Sequence, residues 1–397
     1  MLFNEPRARR IMADQGIDAL VATSPDNVTY ASGYWAMSHW ARPGGPQVYA
    51  VIPADGGAGP CLITGSGNLD LVVDGESWVT EAYRYGFFAT RADGPEQLSP
   101  LDQRYAALLA RTNHGDAASA LTAALRDRKL DRGRLAIEET GIQPAILERV
   151  RSALPKAEIV SGARVFREIR MIKTAEEIER LRGAVRVTER GIEAALRVAR
   201  AGVTEREMMN EFDRTVISEG GVPVSSMCLG TGPRSALSNC QAGERRLAAG
   251  DVIRFDGGVR YKWYRSDIAR IAALNDPGER IRRYYSAIRA GAERGIEAIR
   301  PGVRTAEVFR ITMDTVHREG IPHFERSHVG HGIGINNYDA PDLAPNSDEI
   351  IEEGMVLCVE TPYYELGWAG LQLENTVVVR AHGAEPLTSL GNELRVQ

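Results

Sequence analysis

The chain has 397 residues, 43% hydrophobic and 25% charged, proportions of a globular protein long enough for two domains. With 48 Lys and Arg against 53 Asp and Glu, the net charge of −5 excludes a generally basic nucleic-acid coat, and no run approaches the ~18 apolar residues of a membrane span. The N-terminus turns charged at once without an apolar signal core, and Cys61, Cys228, Cys240 and Cys358 show no CxxC spacing, so a reducing cytoplasm is the expected compartment, with neither nucleic acid nor membrane as partner.

Residues 6–15 read as a helix stopped by Gly16, and Asp18 to Thr23 as a short apolar strand. Ser24-Pro25-Asp26-Asn27 reads as a turn cluster. Further strands are expected at 47–52, 60–64, 134–138 and 157–160, with helices near 101–112, 117–129 and 142–153. That alternation predicts an α/β domain over residues 1–168. The character changes in the stretch Val165 to Lys173, and a second domain is expected over 169–397.

Thr174 and Glu177 have capping-box spacing, and Ile178, Leu181, Val185 and Ile192 then share one helical face. Glu189-Arg190-Gly191-Ile192-Glu193-Ala194 recurs as Glu293-Arg294-Gly295-Ile296-Glu297-Ala298, and Arg200-Ala201-Gly202-Val203 as Arg300-Pro301-Gly302-Val303, at offsets of 104 and 100 residues. Helices are expected after each valine, at 204–218 and 305–318. The second domain therefore reads as two similar halves, too long a period for a solenoid.

The first half ends in a strand pattern, Val252-Ile253-Arg254-Phe255-Asp256, and eleven residues on Ser266-Asp267-Ile268 opens another, so a hairpin would set Asp256 beside Asp267. The second half holds Gly330-His331-Gly332-Ile333-Gly334, then a strand pattern ending in Glu360, then Glu374 among apolar neighbours. A single acid in a strand is most simply a salt-bridge partner. Two Asp, two Glu and one His in strand contexts are enough ligands for two divalent ions with bridging carboxylates, because isolated buried carboxylates are costly.

The blocks FDGG, SDIAR, GHGIG, MVLCVE and LQLENTVVV resemble those of the pita-bread metallohydrolases, which include methionine aminopeptidase, Xaa-Pro aminopeptidase, prolidase and creatinase. The resemblance implies an α/β N-terminal domain followed by an α+β pita-bread domain, duplicated about a pseudo-twofold axis. It implies Asp256, Asp267, His331, Glu360 and Glu374 as metal ligands, two divalent ions (manganese, iron, cobalt or zinc), Glu360 as general base, a short-peptide or small-molecule substrate, and a homodimer. In that family the Gly33-Tyr34-Trp35 stretch would reach a neighbouring subunit's site, with Trp35 touching substrate. The simpler reading makes it an aromatic core contribution.

Three positions depart from the proline peptidases. Where they carry a histidine seventeen residues before the first Asp, this chain has Asn239; seven residues after His331 it has Tyr338 for histidine; two before Glu374 it has Gln372 for arginine. Asn239 and Tyr338 donate hydrogen bonds but are poor bases at neutral pH, and Gln372 removes a fixed positive charge. These changes imply a small polar substrate contacted by Gln372 and Asp339. His328, three before His331, either lines the pocket or packs. The implied reaction is hydrolysis of a peptide, amide or amidine C–N bond. The rivals are a metal-dependent lyase with Tyr338 or Asp339 as base, and a non-catalytic binding protein.

Overall fold

The computed structural model describes residues 1–42, 45–55, 57–91, 98–224 and 227–397. The chain divides into a unit Met1–Ile169 and a unit Arg170–Gln397, at the end of the helix Gly162–Arg170.

In the first unit a six-stranded mixed sheet runs in the order Ala82–Tyr85, Cys61–Gly65, Tyr49–Pro53, Ala19–Ala22, Arg134–Ile137, Glu158–Ser161. Val21, Val51, Leu135 and Ile137 on its strands pack with Leu121 and Leu125 of the helix Ala117–Asp127. The expected turn at Ser24–Asn27 is instead the start of a helix, Pro25–Ser32. Ser24 Oγ accepts from the backbone N–H of Asn27, and proline occupies the first helical position, where its missing N–H costs nothing. The same residue types that make turns also cap helices. The strand Ala82–Tyr85 was not expected; it pairs in parallel with Cys61–Gly65.

In the second unit two helix pairs, Ala175–Arg197 with Glu205–Ser218 and Glu279–Ala298 with Thr305–Arg318, lie against a nine-stranded, mainly antiparallel sheet. The capping boxes at Thr174 and Thr204 are both formed. The main path of the sheet is Asp339–Asp342, Gly330–Gly332, Val356–Glu360, Glu374–Arg380, Ile268–Ala273, Val252–Gly257, Cys228–Thr231.

The duplication is visible in detail. Gly202 N–H donates to Leu247 O and Leu247 N–H to Val203 O, and in the second half Gly302 donates to Ile351 and Ile351 to Val303 in the same way. Each half has its own apolar cluster: Ile192, Phe212 and Val216 meet Ile253 and Phe255, while Ile288, Val308 and Val316 meet Leu357, Val359 and Val377. Each such side chain contributes about 1.5–3 kcal/mol by burial. Because successive strand residues face opposite ways, packing Ile253 and Phe255 against helices turns Arg254 and Asp256 to the other face. Packing Leu357 and Val359 does the same for Cys358 and Glu360.

A candidate metal centre on the open face of the sheet

Asp256 stands on the strand Val252–Gly257, and Asp267 immediately before its antiparallel neighbour Ile268–Ala273. Glu360 ends one strand and Glu374 begins the next, directly opposite each other in the register. His331 lies on the short strand Gly330–Gly332, paired with Cys358. Its glycine neighbours are forced by proximity: a Cβ on Gly330 would stand 2.0 Å from Cys358 O, and one on Gly332 2.2 Å from Ala340 O.

Oxygens of Asp256, Asp267 and Glu374 lie within 4.8 Å of one another, as do ligand atoms of His331, Cys358 and Glu374. His331 Nδ1 is 2.9 Å from Gly332 O, which places its proton there and turns the Nε2 lone pair towards Asp267 Oδ2 at 3.9 Å and Glu374 Oε1 at 4.0 Å. A lone pair facing two carboxylates at that range makes no hydrogen bond; a cation between them satisfies all three. Glu374 Oε1 is buried and has no hydrogen-bond partner among the described residues.

Burial, followed by mutual repulsion, drives the carboxyl groups up. Asp256 rises to about 6 against the pull of Arg254, Asp267 to about 6 against the hydrogen bond from Asn337, and Glu360 to about 8 against Arg326. Glu374 is pushed well above the carboxylate range by burial and by Asp267, Glu360 and Asp256. All four together are ionised at neutral pH only beside added positive charge. The donor set, four carboxylates and one neutral imidazole, suits a divalent cation of intermediate softness.

Around this core the remaining residues take distinct positions. Gln372 is buried: its Nε2 donates to Asp256 Oδ1 at 3.0 Å and lies 3.4 Å from Glu360 Oε2. The expected loss of positive charge at Gln372 needs correcting. Arg254, fully buried on the adjoining part of the sheet, sets a guanidinium N–H 2.7 Å from Asp256 Oδ2. His328 Nδ1 stands 3.2 Å and Arg326 Nη2 3.7 Å from Glu360 Oε1. Tyr338 lays its ring over His331, centroids 4.1 Å apart, with 61% of the residue exposed. Burial and the charges of Asp267 and Glu360 push its hydroxyl up, which leaves it a donor and not a base.

Asp339 is buried with both oxygens taken, one by Arg170 and the other by Lys173 Nζ at 3.3 Å. That pairing anchors the loop carrying Asn337 and Tyr338. Asp339→Ala leaves the wholly buried Lys173 without its partner, at an expected cost of about 3–5 kcal/mol, read as a lowered urea midpoint. Asn239 is exposed on the loop after the short helix Gly232–Ala236. In the first unit, Tyr34 is buried with its hydroxyl donating to Asn68 O at 2.7 Å, and Trp35 is half-buried beside it.

Sequence reasoning missed Arg254, Arg326, Asn337 and Cys358. Only Arg254 carried a local signal: a charge two residues before Asp256, hence on the same face, in an otherwise apolar strand.

Residues 179–381 match the sequence model of metallopeptidase family M24. The chain belongs to that family. Residues 6–172 match the creatinase/prolidase N-terminal domain, so the order of the two M24 parts is that expected from the motifs. Among curated relatives, the Xaa-Pro dipeptidase of Pyrococcus furiosus is 29% identical over 231 residues, 58% of this chain and 66% of that protein. An uncharacterised peptidase of Bacillus subtilis is 28% identical over 262 residues, 66% of this chain and 74% of its own. Just under two thirds of the first relative's length is therefore spanned. The M24 fold is shared with the X-Pro aminopeptidase from Thermotoga maritima (TM-score 0.79, 23% identity, 99% of each chain) and the prolidase from Pyrococcus furiosus (TM-score 0.74, 22% identity, 96% of this chain and 99% of that one). No described helix is long and apolar enough to cross a membrane.

Proposed function

We propose that this M24 member is a metal-dependent hydrolase that opens the C–N bond of a short peptide or a small, polar amide-like substrate, with two divalent ions held by Asp256, Asp267, His331, Glu360 and Glu374. The observation that carries the reading is the imidazole lone pair of His331 facing the carboxylates of Asp267 and Glu374, with oxygens of Asp256, Asp267 and Glu374 gathered within 4.8 Å of one another. Its oxygen-rich donor set favours manganese, iron or cobalt over zinc. Such ions supply a nucleophile at neutral pH and polarise the scissile carbonyl.

The chain's own residues supply the rest. Glu360 accepts the proton of the attacking water through a carboxylate oxygen. His328, 3.2 Å from Glu360, relays the proton towards the leaving nitrogen. The Tyr338 hydroxyl donates to the oxyanion, and the Asn239 amide orients substrate. Gln372 keeps Asp256 and Glu360 aligned, and Asp339 holds the Tyr338 loop in place. Trp35 closes the pocket of a twofold-related subunit in a cytoplasmic homodimer; a monomer by light scattering with full activity would remove that role. The likeness to an Xaa-Pro dipeptidase supports hydrolysis over elimination.

The test is a manganese-loaded assay on Xaa-Pro dipeptides, guanidino acids and cyclic amidines. With Asn239 and Tyr338 in place of imidazoles, dipeptide turnover is expected below about 10⁴ M⁻¹s⁻¹, the lower edge for efficient enzymes. Tyr338→Phe is expected to lower kcat on the best substrate by roughly ten- to hundredfold, the loss of one hydrogen bond to a charged group. Efficient Ala-Pro or Gly-Pro turnover would make this a plain proline peptidase, and an elimination product would overturn hydrolysis.

A further inference from the structure

Arg254 is the most heavily engaged buried side chain beside the metal centre. Its Nε donates to Ser235 O at 2.8 Å, and its Nη2 to Leu237 O at 2.7 Å and Ser238 O at 3.0 Å. Its Nη1 donates to Asp256 Oδ2 at 2.7 Å and Gln372 Oε1 at 3.1 Å, with the Tyr364 hydroxyl at 3.4 Å. Tyr364 also donates to Gln372 Oε1 at 3.1 Å, and its ring centroid lies 5.0 Å from the guanidinium carbon. With its oxygen facing two donors, Gln372 must turn its amide nitrogen to Asp256 and Glu360.

We propose that Arg254 is a positioning residue that fixes the metal-binding carboxylate of Asp256 and, through the same guanidinium, bolts the Ser235–Asn239 loop to the metal centre. The planar fork is what makes this possible. Its edges point in three directions at once, to a carboxylate, to a side-chain amide and to three loop carbonyls, a pattern that a lysine ammonium cannot reproduce. The loop is also seated from beneath: Ser235 Oγ accepts from Gly370 N–H at 2.8 Å, and a Cβ on Gly370 would stand 2.0 Å from Ser235 O. Asp256 orientation and the placement of Asn239 are thereby two outcomes of one side chain.

This inference rests on the metal-centre reading above. The experiment compares wild type, Arg254→Gln, Arg254→Lys and the transposed pair Arg254→Gln/Gln372→Arg, using Mn(II) titration, the visible spectrum of the Co(II)-loaded protein, and amide exchange at Ser235–Cys240. Arg254→Gln is expected to weaken Mn(II) binding roughly 10- to 100-fold, the range for groups that orient ligands. It is also expected to change the Co(II) bands and lose protection in the loop. The transposed pair returns a guanidinium to Asp256 from the segment between the strands Ala369–Leu371 and Glu374–Arg380. It should regain Mn(II) affinity while the loop stays unprotected. Should Arg254→Gln fail to fold, Arg254→Lys carries the test, with reduced affinity and an unprotected loop expected. Wild-type affinity, Co(II) spectrum and loop protection in either folded variant would overturn the inference alone. A wild-type protein that binds no Mn(II) would overturn it together with the metal-centre reading.

Discussion

Asp256→Ala and Glu374→Ala are each expected to abolish turnover and metal uptake together. Each removes a charged donor from a site in which oxygens of Asp256, Asp267 and Glu374 lie within 4.8 Å of one another. The loss should exceed the roughly 10- to 100-fold that follows removal of a group merely orienting a ligand. Metal analysis of the dialysed variants, beside turnover on the best substrate, checks this. Without metal, burial and its neighbours hold Glu374 protonated, so Glu374→Ala removes no charge from the metal-free protein and should leave it folded. A folded variant without metal therefore separates lost chemistry from lost structure. Full activity in either variant, or in chelated protein, would sink the hydrolase reading.

The second large effect is a reversal of pH dependence on metal removal. In the metal-free protein, Asp256 and Asp267 sit near 6 and Glu360 near 8, all above the values of an unfolded chain. Between about pH 4 and 8 the folded state thus binds more protons than the unfolded state, and stability falls as pH rises. Below pH 4 all are protonated in both states and the contribution is complete; it is lost as pH climbs through 6 and then 8. Melting of chelated protein should show Tm dropping steadily from pH 5 to pH 8. Manganese at a hundred times its Kd should restore about 2.7 kcal/mol at pH 8, roughly 5–10 °C in a domain of this size, and little at pH 5, where protons occupy the same oxygens. A metal-free Tm that rises across that range would contradict the crowded-carboxylate picture.

The M24 fold was legible because apolar periodicity and capping residues act locally. Thr174 and Thr204 cap their helices, and the acids fall in strand patterns whose alternation forces them to one face. Ser24–Asn27 misled because serine and proline serve turns and helix starts alike, and only the tertiary seat of Pro25–Ser32 decides. Donor types and spacing could be read in the candidate site, but its charge balance could not. Gln372 read as a lost cation because the replacement, Arg254, comes from a strand 118 residues away in sequence. Asp339 read as a substrate contact because nothing local announces that Lys173, 166 residues earlier, turns inward to meet it. Long-range pairing of polar groups has no period and leaves no trace in a window of sequence.

The duplicated halves place Gly250–Asp256 and Gly354–Glu360 at the same spacing of 104 residues, each with a carboxylate at or next to the end of its strand. Two identical copies would make both ends of this group of acids identical. Within one chain the two copies need not match. At matched positions two residues before the carboxylate, one copy now has Arg254 and the other Cys358; the imidazole of His331 belongs to the second copy alone. The first copy therefore brings Arg254 to Asp256, while the second brings Arg326 and the imidazole of His328 to Glu360, so the two ends differ. A mirror-like cage grips a lopsided molecule equally well either way round. A diverged one tells the two ends of such a molecule apart.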